Sequence, residues 1–116
     1  MALLQSLSLN KNGNSTSVKI PMKSELFTGQ GGCSLLCYIT GSLTANVYVS
    51  NDPNASPDKT QAEQDSARWI LHDTMNAMTT SKSGSIVFPV YAVRLVVSNY
   101  SSGSATLDIG VLDDQD

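Results

Sequence analysis

The chain has 116 residues, of which 41% are apolar and only 15% charged, against about 25% charged in an ordinary globular domain. Its net charge is −3 and its seven Lys and Arg form no cluster. A nucleic-acid partner needs a basic footprint, so that class is excluded.

The length suits one domain with a two-layer core. Ser, Thr, Asn and Gly take the place of charge, a surface suited to packing against other protein and shared by many small β domains. The N-terminus MALLQSLSLN has no cationic segment, and Gln5 and Ser6 break its apolar run, so it does not read as a signal peptide. No run approaches the ~18 apolar residues that cross a bilayer. The expectation is a chain made and folded in a cytoplasm, with no membrane partner.

In chain order, Leu3–Leu9 reads as a first strand with Leu7 and Leu9 inward. Asn10–Asn14 (NKNGN) is a turn cluster, and Asn12-Gly13 signals a type I′ turn. Thr16–Ile20 is a second strand, ended or placed at an edge by Pro21. Lys23–Gly32 is a Gly-rich connection from which Leu26 and Phe27 reach the core. Cys33–Thr40 alternates with Cys33, Leu35, Cys37 and Ile39 on one face. Gly41-Ser42 is read as a tight connection into Leu43–Ser50, where Leu43, Ala45, Val47 and Val49 alternate with Thr44, Asn46, Tyr48 and Ser50.

Asn51–Ser66 is a long loop with two prolines, in which Gln61–Ser66 has room for one helical turn. Loops this long inside a compact domain are usually functional or mobile. Ala67–His72 follows as a strand with Ala67, Trp69 and Leu71 inward. Asp73–Gly84 is a polar connection, and Ser85–Phe88 a short strand closed by Pro89. Tyr91–Asn99 and Ala105–Val111 read as the two strands of a hairpin around Tyr100–Ser104, with Gly103 free to take positive φ. With an odd number of residues in that loop, Arg94 and Asp108 stand opposite each other on its outer face, a pair worth roughly 0.2–1 kcal/mol. Asp113–Asp116 is an acidic tail.

About eight short strands separated by turn signals predict an all-β fold: an antiparallel two-sheet β-sandwich of about eight strands, jelly-roll-like. Residues 1–112 form its single domain and 113–116 the tail.

Few residues invite chemistry. Cys33 and Cys37 lie four apart on one strand face, about 13 Å at ~3.3 Å per residue. That is too far for a disulfide, so they read as buried free thiols. Half a metal site would need ligands beyond His72, the single histidine. His72 and Asp73 are neighbours on a strand and so point to opposite faces, which rules out a catalytic pair by adjacency. No Ser sits in a nucleophile elbow.

Asp52, Asn54, Ser56 and Asp58 place oxygens along DPNASPD, but without the Gly of a tight calcium loop and with two prolines. Asp52, Asp58, Glu63 and Asp65 are spread along the long loop; acid–base work there would also need a cleft and binding aromatics, and with only 6% aromatic residues they read as a solvated loop. Trp69 with Tyr48, Tyr91 or Tyr100 offers a sugar platform only if exposed, and its alternation buries it. Asn14-Ser15-Thr16, Asn54-Ala55-Ser56 and Asn99-Tyr100-Ser101 match the N-glycosylation pattern, as an Asn- and Ser-rich chain does by chance. No catalytic, cofactor-binding or metal residues are therefore assigned, and no enzyme activity is expected.

The run GSLTANVYVSNDP, the isolated Trp of ARWILHD and the segment FPVYAVRLVVSNYSSGSATLDIGVL resemble small β-sandwich virion proteins of tailed bacteriophages. Ser50, Asn51, Asp52, Trp69, Tyr91, Arg94 and Val97 carry the likeness, over about Gly41–Leu112. Pro53 stands where that pattern has Gly. The resemblance implies a non-enzymatic virion protein, most like a capsid decoration or cement protein bound to the major capsid protein of the phage head and self-associating, for example as a trimer. The alternative it implies is a tail-fibre or head-fibre module recognising a host-surface glycan.

Overall fold

The computed structural model describes residues 2–20, 33–86 and 90–111. Among these residues seven strands form one hydrogen-bonded antiparallel sheet: β1 (Ala2–Leu9), β2 (Gly13–Asn14), β3 (Val18–Lys19), β4 (Cys33–Ser50), β5 (Ile70–Leu71), β6 (Lys82–Ile86) and β7 (Ala92–Val111). One short helix, α1 (Gln61–Ser66), and a 3-10 turn at Pro53–Ala55 lie between β4 and β5.

The sheet is built on two very long strands. β4 pairs with β7 from Cys33↔Val111 to Ser50↔Ala92. The expected tight connection at Gly41-Ser42 is absent, and so is the expected hairpin around Tyr100–Ser104. Each is instead a bend inside one continuous strand. The apolar alternation explains the continuity. Cys33, Leu35, Cys37, Leu43, Ala45, Val47 and Val49 are all buried, as are Val93, Leu95, Val97, Ala105, Leu107 and Ile109. In both strands the inward parity carries through the glycine.

At the bend Gly41 and Gly103 face each other and both take positive φ, +76 and +86. Asn99 does so as well, at +53. Between Ser42↔Ser102 and Thr44↔Ser98, β4 advances two residues while β7 moves four. A two-residue excess on one strand is a bulge, which bends and twists a ribbon. The expected Arg94–Asp108 pair is therefore lost. Arg94 stands opposite Tyr48 and Asp108 opposite Leu36 and Ser6, on either side of the bend.

The flanking segments follow the same ribbon. β1 lies along Ala105–Val111, and β2 and β3 lie along Val96–Val97 and Ala92–Val93. Gly13–Asn14 is thus paired strand, where a turn is expected from sequence, and Tyr100 N–H reaches the Asn12 side chain at the bend, 2.9 Å. On the other side β6 lies along Cys33–Cys37, and β5 along Tyr48–Val49. The last part of the expected Asp73–Gly84 connection belongs to β6, which starts at Lys82. Each half of the ribbon carries strands side by side in four rows, and every row except that of β5 contributes to one hydrophobic cluster. The Lys23–Gly32 connection, the Val87–Pro89 strand end and the Asp113–Asp116 tail lie outside the described residues.

Candidate functional site

The polar side chains that invite a functional reading gather around the segment 51–78. The Asn51–Ser66 loop is a folded cap. Asp52 accepts from Asn54 N–H (3.0 Å), which opens the 3-10 turn. Thr60 and Glu63 form a reciprocal capping box on α1, the Thr hydroxyl accepting from Glu63 N–H at 3.2 Å and the Glu carboxylate from Thr60 N–H at 3.2 Å. This satisfies two backbone donors that a helix start otherwise leaves open. The expectation of a single helical turn at Gln61–Ser66 holds.

The cap sits on the outer face of β7, over Arg94. Arg94 has outward parity, yet is only 7% exposed. Its Nη1 donates to Asp65 Oδ1 at 2.7 Å, and its guanidinium carbon stands 4.4 Å from the Trp69 ring centroid. Asp65 Oδ1 also accepts from Asn14 Nδ2 and Gln61 Nε2, both at 3.0 Å. These donors, Gln61 first, hold the Asp65 carboxyl below its usual range. Gln64, 2% exposed, accepts from Ser17 N–H at 2.9 Å and donates to Lys59 C=O at 2.9 Å. Ser17 Oγ donates to Ala55 C=O. Trp69 donates its indole N–H to Gln64 C=O, 2.7 Å.

Two expectations change here. The strand predicted over Ala67–His72 shrinks to Ile70–Leu71, whose side chains are both exposed, Ile70 to 71%. Trp69 is half-buried and packs against Arg94, not in the core. With one face on a guanidinium and its N–H engaged, it does not present a free sugar platform.

His72 follows β5 and is buried. Its Nδ1 accepts from Met75 N–H (3.0 Å) and Thr74 N–H (3.2 Å). That fixes the proton on Nε2, which donates to Ser85 C=O at 2.8 Å. Because His72 opens a turn, Asp73 does not point away as strand neighbours do. Its Oδ1 lies 3.4 Å from Nδ1, with the carboxylate 91% exposed. The pair is close but no base: Nδ1 already receives backbone donors.

Asp52 likewise serves the backbone. It accepts from Asn54 and Arg68 N–H (3.1 Å), with Arg68 Nε at 3.5 Å, and the first of these contributes most to its lowered pKa. Ser56 Oγ accepts from Asp58 N–H at 3.2 Å. Among the described residues no three of His, Cys, Asp and Glu converge as metal ligands. Cys33 and Cys37 are both buried free thiols, and burial pushes Cys37 up to about 11.

An open cleft of about 380 Å³ lies beside this cap, lined by Val49, Ser50, Asn51, Asp52, Arg68, Ile70 and Val90. Its walls are mostly apolar, and the exposed Arg68 and its partner Asp52 supply its charge. Sequence reasoning missed Gln64, Ser17 and the Arg94–Asp65 contact. The Thr60-x-x-Glu63 capping box is the one signal in the sequence that locates the helix carrying Gln64 and Asp65.

Comparison with family models, curated proteins and solved structures gives no match. Among the described residues no helix is long and apolar enough to cross a membrane.

Proposed function

We propose that this chain is a non-enzymatic virion structural protein, a capsid decoration protein that binds the assembled head of a tailed phage through its major capsid protein. The observation carrying this reading is how the polar side chains of the candidate site are used. Asp52, Gln64 and His72 spend their hydrogen bonds on the chain's own backbone, and Asp65 on the side chains of Asn14, Gln61 and Arg94. That is the chemistry of a rigid scaffold. The surface instead offers apolar contact: Ile70 is 71% exposed, Tyr38 49%, and Leu36 and Leu71 42% each. The likeness of Gly41–Leu112 to small virion proteins supplies the biological setting.

The same reading takes the bent ribbon as a two-layer, jelly-roll-like sandwich of two four-row halves. One continuous core drawn from both halves supports this. So does the approach of Met75, from the segment between β5 and β6, to Gly84, where an added Cβ would meet its sulfur at 2.5 Å. Self-association would multiply weak lattice contacts through effective concentration.

The test is the copy number of this chain in purified particles, relative to the major shell protein. A ratio near one, or a simple symmetric fraction of it, is expected. A handful of copies per particle would refute decoration and point to the tail or a fibre, and absence from the particle would refute both.

A further inference from the structure

Every open sheet must manage its edge strands, because their unpaired N–H and C=O groups template other chains. Here most edges are protected. β2, β3 and β5 are two residues long. β3 also carries the exposed Lys19, and β6 opens on the exposed Lys82. β1 differs. It runs eight residues, ALLQSLSL, with no charge and no proline. It ends the sheet order, and among the described residues nothing pairs with its other edge.

From this contrast we propose that β1 is a self-pairing edge, and that its occupant is β1 of a second copy of this chain, antiparallel about a two-fold axis. Register argues for a second copy. The bulge between Leu3 and Gln5 limits the regular run to Gln5–Leu9. Its midpoint is Leu7, so a two-fold there pairs the whole run without overhang: Gln5 with Leu9, Ser6 with Ser8, Leu7 with Leu7. Parity is kept. Leu7 is buried, Ser6 and Ser8 are exposed, and at the ends of the run the exposed Gln5 meets the half-buried Leu9, so parity is matched and both sheets continue on the same face. No like charges meet across the axis, and an isologous contact closes as a dimer without growing into a filament.

Five residues of edge fall well short of the ~800 Å² per partner of a standard interface. The dimer is therefore weak, populated at high concentration or when copies are held side by side. The pairing stands whether or not the protein decorates a shell.

Sedimentation velocity on the full chain, from about 10 µM to 1 mM, tests it. A concentration-dependent dimer is expected. Ser6→Lys/Ser8→Lys places lysine opposite lysine twice, and at up to ~1 kcal/mol per pair weakens the dimer by up to about thirtyfold. A chain that stays monomeric to 1 mM, or a dimer indifferent to these lysines, overturns the proposal. Register is read separately, which also covers a variant that fails to fold. An oxidised mixture of Ser6→Cys and Ser8→Cys chains should cross-link to mixed dimers faster than either chain alone. The buried native thiols, Cys33 and Cys37, stay out of that reaction. Equal rates in the mixture and in the separate chains overturn the two-fold at Leu7.

Discussion

Gly103→Ala attacks the bend on which both long strands depend. A Cβ at Gly103 would lie 2.0 Å from the Thr40 carbonyl oxygen, 2.5 Å from its carbon and 2.7 Å from Gly41 Cα. All three are backbone atoms, so no side chain can swing aside. Two costs add. The φ of +86 strains any residue with a Cβ by ~1–3 kcal/mol. Relieving the overlap then forces β4 and β7 apart where they pair, at the loss of at least one backbone hydrogen bond, about 1 kcal/mol. The sum is about 3 kcal/mol, a large share of the ~5–15 kcal/mol that holds a domain. Urea unfolding followed by Trp69 fluorescence would show a midpoint lower by roughly 1–3 M at unchanged slope. Two controls separate the terms. Gly13→Ala meets no atom within 4 Å at φ +140 and should lose only the conformational part. Gly103→Asn tolerates the left-handed φ but keeps the overlap, so it should remain strongly destabilised. If Gly103→Asn matched the wild type, the strands would not approach here, and a free hairpin turn would replace the bend.

Gln64→Ala should cost ~1–3 kcal/mol, measured by the same titration, because it leaves the buried Ser17 N–H without its acceptor. The Asp65 carboxyl is held below its usual value by Gln61, Asn14 and Arg94; a lowered folded pKa stabilises above the unfolded pKa and is lost as pH falls through the folded one. Thermal melts should therefore weaken below about pH 4, and Asp65→Asn should flatten part of that acid limb. His72→Ala removes the acceptor of two backbone N–H groups and should destabilise by about 2 kcal/mol, as read by urea midpoint. Cys37, pushed up to about 11 by burial, should react with a disulfide reagent at pH 8 only as fast as the fold opens. Labelling at the rate of a free thiol would contradict its burial.

The inward residues of the two long strands are legible in the sequence, whereas Leu71, of inward parity in the shorter strand, is exposed, and the strand partners are not legible at all. Period-two alternation identified Cys33, Leu35, Cys37, Val47, Val93, Leu95, Leu107 and Ile109 as core-facing, and all are buried. Alternation says which face a side chain takes and nothing about which strand lies alongside. Gly41 and Gly103 were read as turns because a positive-φ glycine serves a hairpin and a bulge equally well. Typical strands of five or six residues favoured four short strands over two of 18 and 20. What the sequence did hold is a pair of matched runs, each with a glycine near its middle and with inward parity unchanged across it.

The candidate site failed in sequence for a different reason. Arg94 looked like an outer-face residue awaiting a cross-strand partner, and parity was right about its direction. Its burial comes from α1, 29 residues earlier at Asp65. A helix of six residues is too short to show an amphipathic period. Its apolar contribution is almost nil, and it docks instead by Gln64, Asp65 and a tryptophan N–H. Polar docking of this kind leaves no hydrophobic trace, so loop composition reads it as solvated. The low charge of the chain makes sense in that light. Asp65 and the buried Arg94 hold the loop to the ribbon, and Asp52 and Glu63 brace the loop itself, leaving hydroxyls, amides and a few exposed apolar side chains to meet whatever the protein touches.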